Sequence, residues 1–222
     1  MRRGLLTLFA IVIYLFAFSQ HDIHVKLVND FEVVCDTANW SKTTWIKLDP
    51  EPGDPRSTHV KILYSKKGIY CLFKNEDRVI TSAMRNDFDS LWLEDVAEVF
   101  LWPDTTITSY LEYEISPLNK ELVLLITNIK GKHSGWMPWR YGGKRKTKHC
   151  TKIYKGSAWL AEFFIPYELM QPLVSQIPQA GTVWRANFYR SDRDNKTTVE
   201  WSWKKTVRSF HEYGKFGRLL FD

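Results

Sequence analysis

The sequence predicts an all-β fold, an antiparallel β-sandwich of immunoglobulin-like or jelly-roll type with one short helix. Three observations carry that reading. Residues Val96, Glu98, Phe100 and Trp102 alternate with Ala97, Val99 and Leu101, and Tyr110, Glu112 and Glu114 alternate with Leu111, Tyr113 and Ile115. That period of two belongs to strands, and the break at Pro103-Asp104-Thr105-Thr106 is turn chemistry. At least eight short segments of this kind follow one another with turn signals between them and without strand–helix–strand alternation. The chain is also aromatic, with 10 Trp, 10 Tyr and 13 Phe in 222 residues, which suits pleated, half-buried surfaces.

The first nineteen residues stand apart from the fold. Arg2 and Arg3 precede an apolar run from Gly4 to Phe18, and Ala17 and Ser19 put small residues at the positions a signal peptidase reads before Gln20. The run is shorter than the roughly 20 residues a membrane span needs. Residues 1–19 are therefore expected to be a cleaved signal peptide and 20–222 a single domain, secreted or periplasmic, with no membrane attachment after cleavage. Loss of Arg2 and Arg3 lowers the formal charge from +6 to +4, too modest an excess to point to nucleic acid.

Within the domain, Val60–Tyr64 and Ile69–Phe73 form a hairpin whose turn carries Gly68. Cys71 lies inside the second of these strands and is expected in the core. With Cys35 and Cys150 it makes an odd count, which allows at most one internal disulfide, and the spacings match no zinc pattern. The strand pair 96–115 comes next, and Glu121–Thr127, apolar on both faces, follows as a buried strand. Gly131–Lys155 is read as an irregular, exposed excursion. It holds Trp136, Trp139, paired glycines and the run Lys144–His149, which is either a solvated loop or a contact for an acidic polysaccharide. Ala158–Pro166 is a strand, and Pro166 is expected to open the one helix, Tyr167–Val174, at a position where Pro is tolerated. Val183–Ser191, Glu200–Trp203 and the tail to Phe221 complete the strands.

Four segments in order resemble the family 9 carbohydrate-binding modules and their relatives in secreted bacterial proteins. Trp92–Phe100 is similar to the family's W-x-x-D-x-x-E-(I/V)-F signature, and Tyr110–Asn119 to the strand that follows it. Trp159–Pro166 with Val183–Arg190 resembles the pair W-x-x-E-x-x-I-P and W-R-x-N-F-x-R. Ser202-Trp203, Phe210 and Lys215–Leu219 look like the closing strand. The likeness spans Asn39 to Phe221. It implies a non-catalytic domain that holds a sugar between two aromatic walls, in a polysaccharide-degrading context.

Carried over by position, the ligand-binding residues are Trp92 as one wall, Phe210 where the facing Trp usually stands, and Glu98 as an acceptor of sugar hydroxyls. Glu114 falls where sugar-binding members carry Arg, Tyr189 where they carry a side-chain amide, and Arg190 at the polar edge. Some members hold structural calcium, for which Asp87, Asp89 and Asp95 are the candidate oxygen ligands; no other cofactor is implied.

The chemistry is consistent on its own terms. Apolar faces of a pyranose stack on rings, and its hydroxyls need charged or planar partners. Two other classes remain. One is a structural or protein-interaction sandwich without sugar binding. The other is a glycoside hydrolase using Glu112 and Glu114, about 7 Å apart on one strand face. Hydrolysis needs carboxyls on opposite sides of the bond, so the second is disfavoured.

Overall fold

The computed structural model describes residues 22–50, 54–129, 132–194 and 197–222. The expected signal peptide lies outside the described residues. Among those described, no helix is long and apolar enough to cross a membrane.

Among the described residues thirteen strands make the fold: β1 (Ile23–Leu27), β2 (Ile46–Pro50), β3 (Thr58–Tyr64), β4 (Gly68–Glu76), β5 (Val96–Trp102), β6 (Ser109–Ile115), β7 (Glu121–Ile129), β8 (Lys132–Pro138), β9 (Lys148–Tyr154), β10 (Ala158–Pro166), β11 (Val183–Asp192), β12 (Val199–Ser202) and β13 (Gly217–Phe221). One sheet runs β8-β7-β6-β5-β11, and the far edge of β11 is shared by β13 at its start and β12 at its end. The other runs β2-β3-β4-β10-β9. Pairing of β12 with β2, and of β1 with both β13 and β3, stitches the two sheets at one side.

The alternation seen in the sequence sets the layers. Ala97, Val99, Leu101, Leu111, Tyr113 and Val123 point inward and meet Phe73, Phe163 and Ile165 from the opposite sheet, all fully buried. Burying each such side chain is worth about 1.5–3 kcal/mol, so this layer supplies the main drive for folding. The alternate residues point outward. Val96, Phe100, Tyr110, Leu122, Leu124, Ile126 and Tyr189 form a second apolar layer, covered by Leu91 and Phe216.

Cys71 is free and buried, as expected, while Cys35 and Cys150 form a disulfide that ties the segment before β2 to β9. It closes a span of 115 residues, and such a crosslink restricts the unfolded chain by an amount worth about 4–5 kcal/mol in the chain-entropy account.

Two expectations need correction. Residues 167–174 form turns rather than a helix: Leu169 and Met170 donate to carbonyls three residues back, from Pro166 and Tyr167. Pro172 has no N–H to donate, and it disfavours helical geometry at Gln171, so the turn cannot propagate. Among the described residues the helical content is confined to four single 3-10 turns at 38–40, 91–93, 143–145 and 213–215. The stretch 131–155 is not irregular throughout. It supplies the edge strands β8 and β9, one on each sheet, joined across 139–147. Both are largely exposed, and an edge strand with one neighbour need not show the alternation of a half-buried one.

Candidate functional site

The outward layer of the first sheet is interrupted by carboxyl groups. Glu98 on β5 stands directly opposite Glu114 on β6, and Phe100 opposite Glu112, so three glutamates share one face of two neighbouring strands. Glu98, Glu112 and Glu114 are 3%, 5% and 0% exposed. Like charges placed opposite on a sheet repel, and burial penalises each ionised form. Burial raises the Glu98 carboxyl well above the usual range, and Glu112 and Glu200 add to the rise. Burial likewise raises Glu114, helped by Glu98 and Glu112, and pushes Glu112 up to about 7. Glu112 Oε2 has no hydrogen-bond partner among the described residues, and His211 Nδ1 stands 3.9 Å away.

Over this floor opens a cleft of about 470 Å³ whose walls include Trp92, Trp136, Phe210 and His211. Each wall arrives from a different part of the chain. Trp92 sits on the 3-10 turn at 91–93 that feeds β5, half-buried, with its ring edge-on to Trp136 at 5.6 Å. Trp136 comes from β8 and is 50% exposed. Phe210 and His211 belong to the 203–216 segment, which leaves β12 and folds back over the outer face. His211 stacks on His133 at 4.3 Å, and burial, with His133 beside it, lowers its pKa to about 4, so it is neutral at physiological pH. Arg193 and Arg208 stand at the rim with Glu200. Arg193 lowers the neighbouring Glu98 somewhat, against the larger effect of burial.

The six residues singled out from the sequence divide in three ways. Trp92, Glu98 and Phe210 line the one cleft. Glu114 and Tyr189 lie beneath it, fully buried. Tyr189 stacks face to face with Phe210 at 4.0 Å and its hydroxyl donates to the Phe210 carbonyl, so it props that wall.

Arg190 is elsewhere, which corrects the expectation that it edges the sugar gap. It pairs with Ala97, whereas its neighbour Tyr189 pairs with Glu98, so its side chain points to the interior face. There its guanidinium binds Asp192, Asp77 at 3.0 Å, the Glu76 carbonyl at 2.7 Å and Thr58, and it packs over Trp201. Sequence reasoning did not single out Trp136, Glu112, Arg193, Arg208 or the His133–His211 pair as contacts. Of these only Glu112 carried a signal, its place one alternate position before Glu114.

The interior acidic cluster bears on the calcium expectation. Carboxyl oxygens of Asp77, Asp95 and Asp192 lie within 4.8 Å of one another, all buried. Asp95 accepts from the backbone of Thr81 and Arg193, and burial raises it to about 7. Asp192 Oδ1 is buried without a partner. Arg56 and Arg190 neutralise part of the group, and Asp54 and Asp194 add further negative charge beside Arg56. Hard oxygen donors in charge excess, one of them unpartnered, fit a calcium ion. Asp87 and Asp89 do not join the cluster: Asp87 accepts from the backbone of Glu121, and Asp89 from Asn86.

Comparison with solved structures places this architecture. A candidate carbohydrate-binding protein of Bacteroides uniformis superposes with a TM-score of 0.74 at 16% identity, over 90% of this chain and 99% of its own. A family 9 carbohydrate-binding module of Caldicellulosiruptor kristjanssonii, solved with cellotriose, gives 0.68 at 16% identity over 91% and 94%. The fold is that of the family 9 carbohydrate-binding modules. A module from the same organism with glucose agrees, at 0.67 and 16% identity over 91% and 96%. No family model and no curated protein matches the sequence. The family 9 fold is thus kept at an identity where side chains have diverged, and the chemistry of the cleft must be argued from its own residues.

Proposed function

We propose that this protein is an exported, non-catalytic carbohydrate-binding domain that holds a sugar in the cleft over Glu98 and Glu112, in a polysaccharide-degrading setting. One observation carries the reading: the aromatic side chains of Trp92, Trp136 and Phe210 line, together with the Glu98 and Glu112 carboxyl groups, a single cleft on the outer face of a family 9 sandwich. A pyranose offers apolar C–H faces to the rings and hydroxyls to Glu98, Glu112 and Arg193. Ring stacking of this kind is worth about 1–3 kcal/mol each, so affinities in the micromolar to millimolar range are expected. The apolar leader and the Cys35–Cys150 bond both suit an oxidising compartment outside the cytoplasm. Glu98, Glu112 and Glu114 share one sheet face and approach a ligand from one side, which suits binding rather than glycoside hydrolysis.

A second reading, a protein-interaction sandwich without sugar binding, draws on the Tyr189 ring, which already covers one face of Phe210. Titration of the domain with cellotriose and glucose, preceded by a glycan array, separates the two. Trp92→Ala should weaken binding at least tenfold. It should cost only about 1 kcal/mol of stability, the worth of an aromatic pair, against about 3–5 for a core Trp. If no glycan binds, or if Trp92→Ala unfolds the domain, the sugar site is refuted.

We further propose that Asp77, Asp95 and Asp192 hold a structural calcium ion. When bound, it would supply the positive charge that Arg56 and Arg190 leave outstanding. Asp95 already ties the backbone of Thr81 to that of Arg193, so neutralising it would firm the link between the segment before β5 and the end of β11.

A further inference from the structure

The cleft is acidic in a chain that is basic. The formal charge of the whole sequence is +6, yet carboxyl groups form the cleft floor. Glu98 and Glu112 line it while nine-tenths or more buried, and Glu114 stands beside them on the same sheet face, fully buried. Glu112 Oε2 faces His211 without a hydrogen-bond partner among the described residues. The imidazole of His211 does not compensate: it is held neutral by burial, and its hydroxyl partner is Tyr110. The guanidinium groups belong to the rim. Arg193 bonds Thr198 and lowers Glu98 only in part, against the larger effect of burial, and Arg208 is exposed.

A neutral sugar can donate hydroxyls to this floor but cannot neutralise it. A uronic acid would add a further negative charge. An ammonium group brings three donors and a full positive charge, and it gains additionally from the faces of Trp92 and Trp136. Chelation of a metal by the three glutamates is not the alternative, because among the described residues the carboxylates close enough to chelate together are the interior aspartates.

We propose that the cleft selects a sugar bearing a free amine, a 2-amino-2-deoxyhexose such as a glucosamine unit of a deacetylated chain. This rests on the sugar-binding reading above and narrows it to a substrate class. The ammonium group sits against Glu112 and Glu98 while the ring stacks on the tryptophans. The pair forms either with the amine already protonated and the carboxyl proton lost to solvent, or by transfer of the carboxyl proton to a neutral amine; both routes leave an ammonium group against a carboxylate.

The test is calorimetric titration of the intact domain at pH 7 with three trimers: glucosamine, N-acetylglucosamine and cellotriose. A charge-assisted contact predicts that the glucosamine trimer binds at least tenfold tighter than the other two. Glu112→Gln should bring its affinity down to that of cellotriose. Thermal denaturation of that variant verifies that it is folded. Cellotriose or the acetylated trimer binding as well as the amine overturns the inference and leaves the sugar site standing. Amine binding that is unchanged in Glu112→Gln overturns it as well. If none of the three binds, and the glycan array is blank, it is the sugar-binding reading itself that falls.

Discussion

Replacing Glu112 by Gln should stabilise the protein at alkaline pH and leave it nearly unchanged in acid. Glu112 lies between Phe100 and Leu124 on neighbouring strands, 5% exposed, with Oε2 unpartnered among the described residues. Burial raises its carboxyl from the ordinary 4.5 to about 7. Between those two values the folded chain binds a proton that the unfolded chain has lost. Stability therefore falls as pH rises through that window and is greatest below it.

At about 1.4 kcal/mol per pH unit, the full shift corresponds to about 3 kcal/mol of stability lost above pH 7. Water entering the open cleft will relieve part of that, so about 2 kcal/mol is the working figure. Gln keeps the shape and the hydrogen-bonding capacity without the charge. Urea denaturation at pH 5 and pH 8 reads the effect. With a slope of about 2 kcal/mol per molar urea, the midpoint of Glu112→Gln should rise by about 1 M at pH 8 and move little at pH 5. A midpoint that falls at pH 8 would mean the carboxylate is satisfied in the folded state, and the account of the acidic floor would fail.

The remaining predictions concern the interior and the leader. Arg190→Met should cost about 3–5 kcal/mol, because it leaves Asp77 and Asp192 buried without their shared cation; a loss under 1 kcal/mol by denaturant titration would show that the pair is already compensated. Removal of calcium by EDTA should lower the melting temperature and calcium, but not magnesium, should restore it, with no change in either direction counting against the Asp77–Asp95–Asp192 site. Intact-mass measurement of the exported protein should find Gln20 at the N-terminus, and a chain retaining Met1 in a membrane fraction would contradict cleavage.

Much of the sheet was legible in the sequence because its information is local. A period of two fixes which residues share a face, so Glu98, Glu112 and Glu114 could be put on the side opposite Val99 and Tyr113 without knowing the partner strands. The same rule explains the error at Arg190. Position-by-position likeness placed it beside Tyr189 in a common site, but adjacent strand residues point to opposite faces, and the one-residue step carries Arg190 into the core. The helix expected at 167–174 rested on Pro166 as a helix opener and failed on Pro172, six residues further on. The contributions of Trp136, His133, Arg193 and Arg208 left no trace in their own segments. They meet only because β8 and the ends of β11 and β12 converge on one face, a long-range outcome that no local pattern encodes.

On the sugar-binding reading proposed above, the outer face of the first sheet is a compromise between a second core and a binding surface. Phe100, Tyr110, Tyr189 and Phe216 pack there as a true apolar layer, and the 203–216 segment closes over them. Continuing that cover with apolar residues at 98, 112 and 114 would stabilise the fold, since it would remove three desolvated carboxyls and the direct Glu98–Glu114 opposition. The chain instead carries the destabilising arrangement in the middle of well-packed strands, where each carboxyl is held rigidly by its neighbours. A ligand that supplies positive charge or strong donors to this floor recovers free energy that folding has left unrecovered. Part of the binding energy is then already stored in the unliganded domain, and the gain in stability on saturation should be larger at pH 8 than at pH 5. A neutral ligand bound only through its stacked face would show no such difference, because the rings of Trp92 and Phe210 do not titrate.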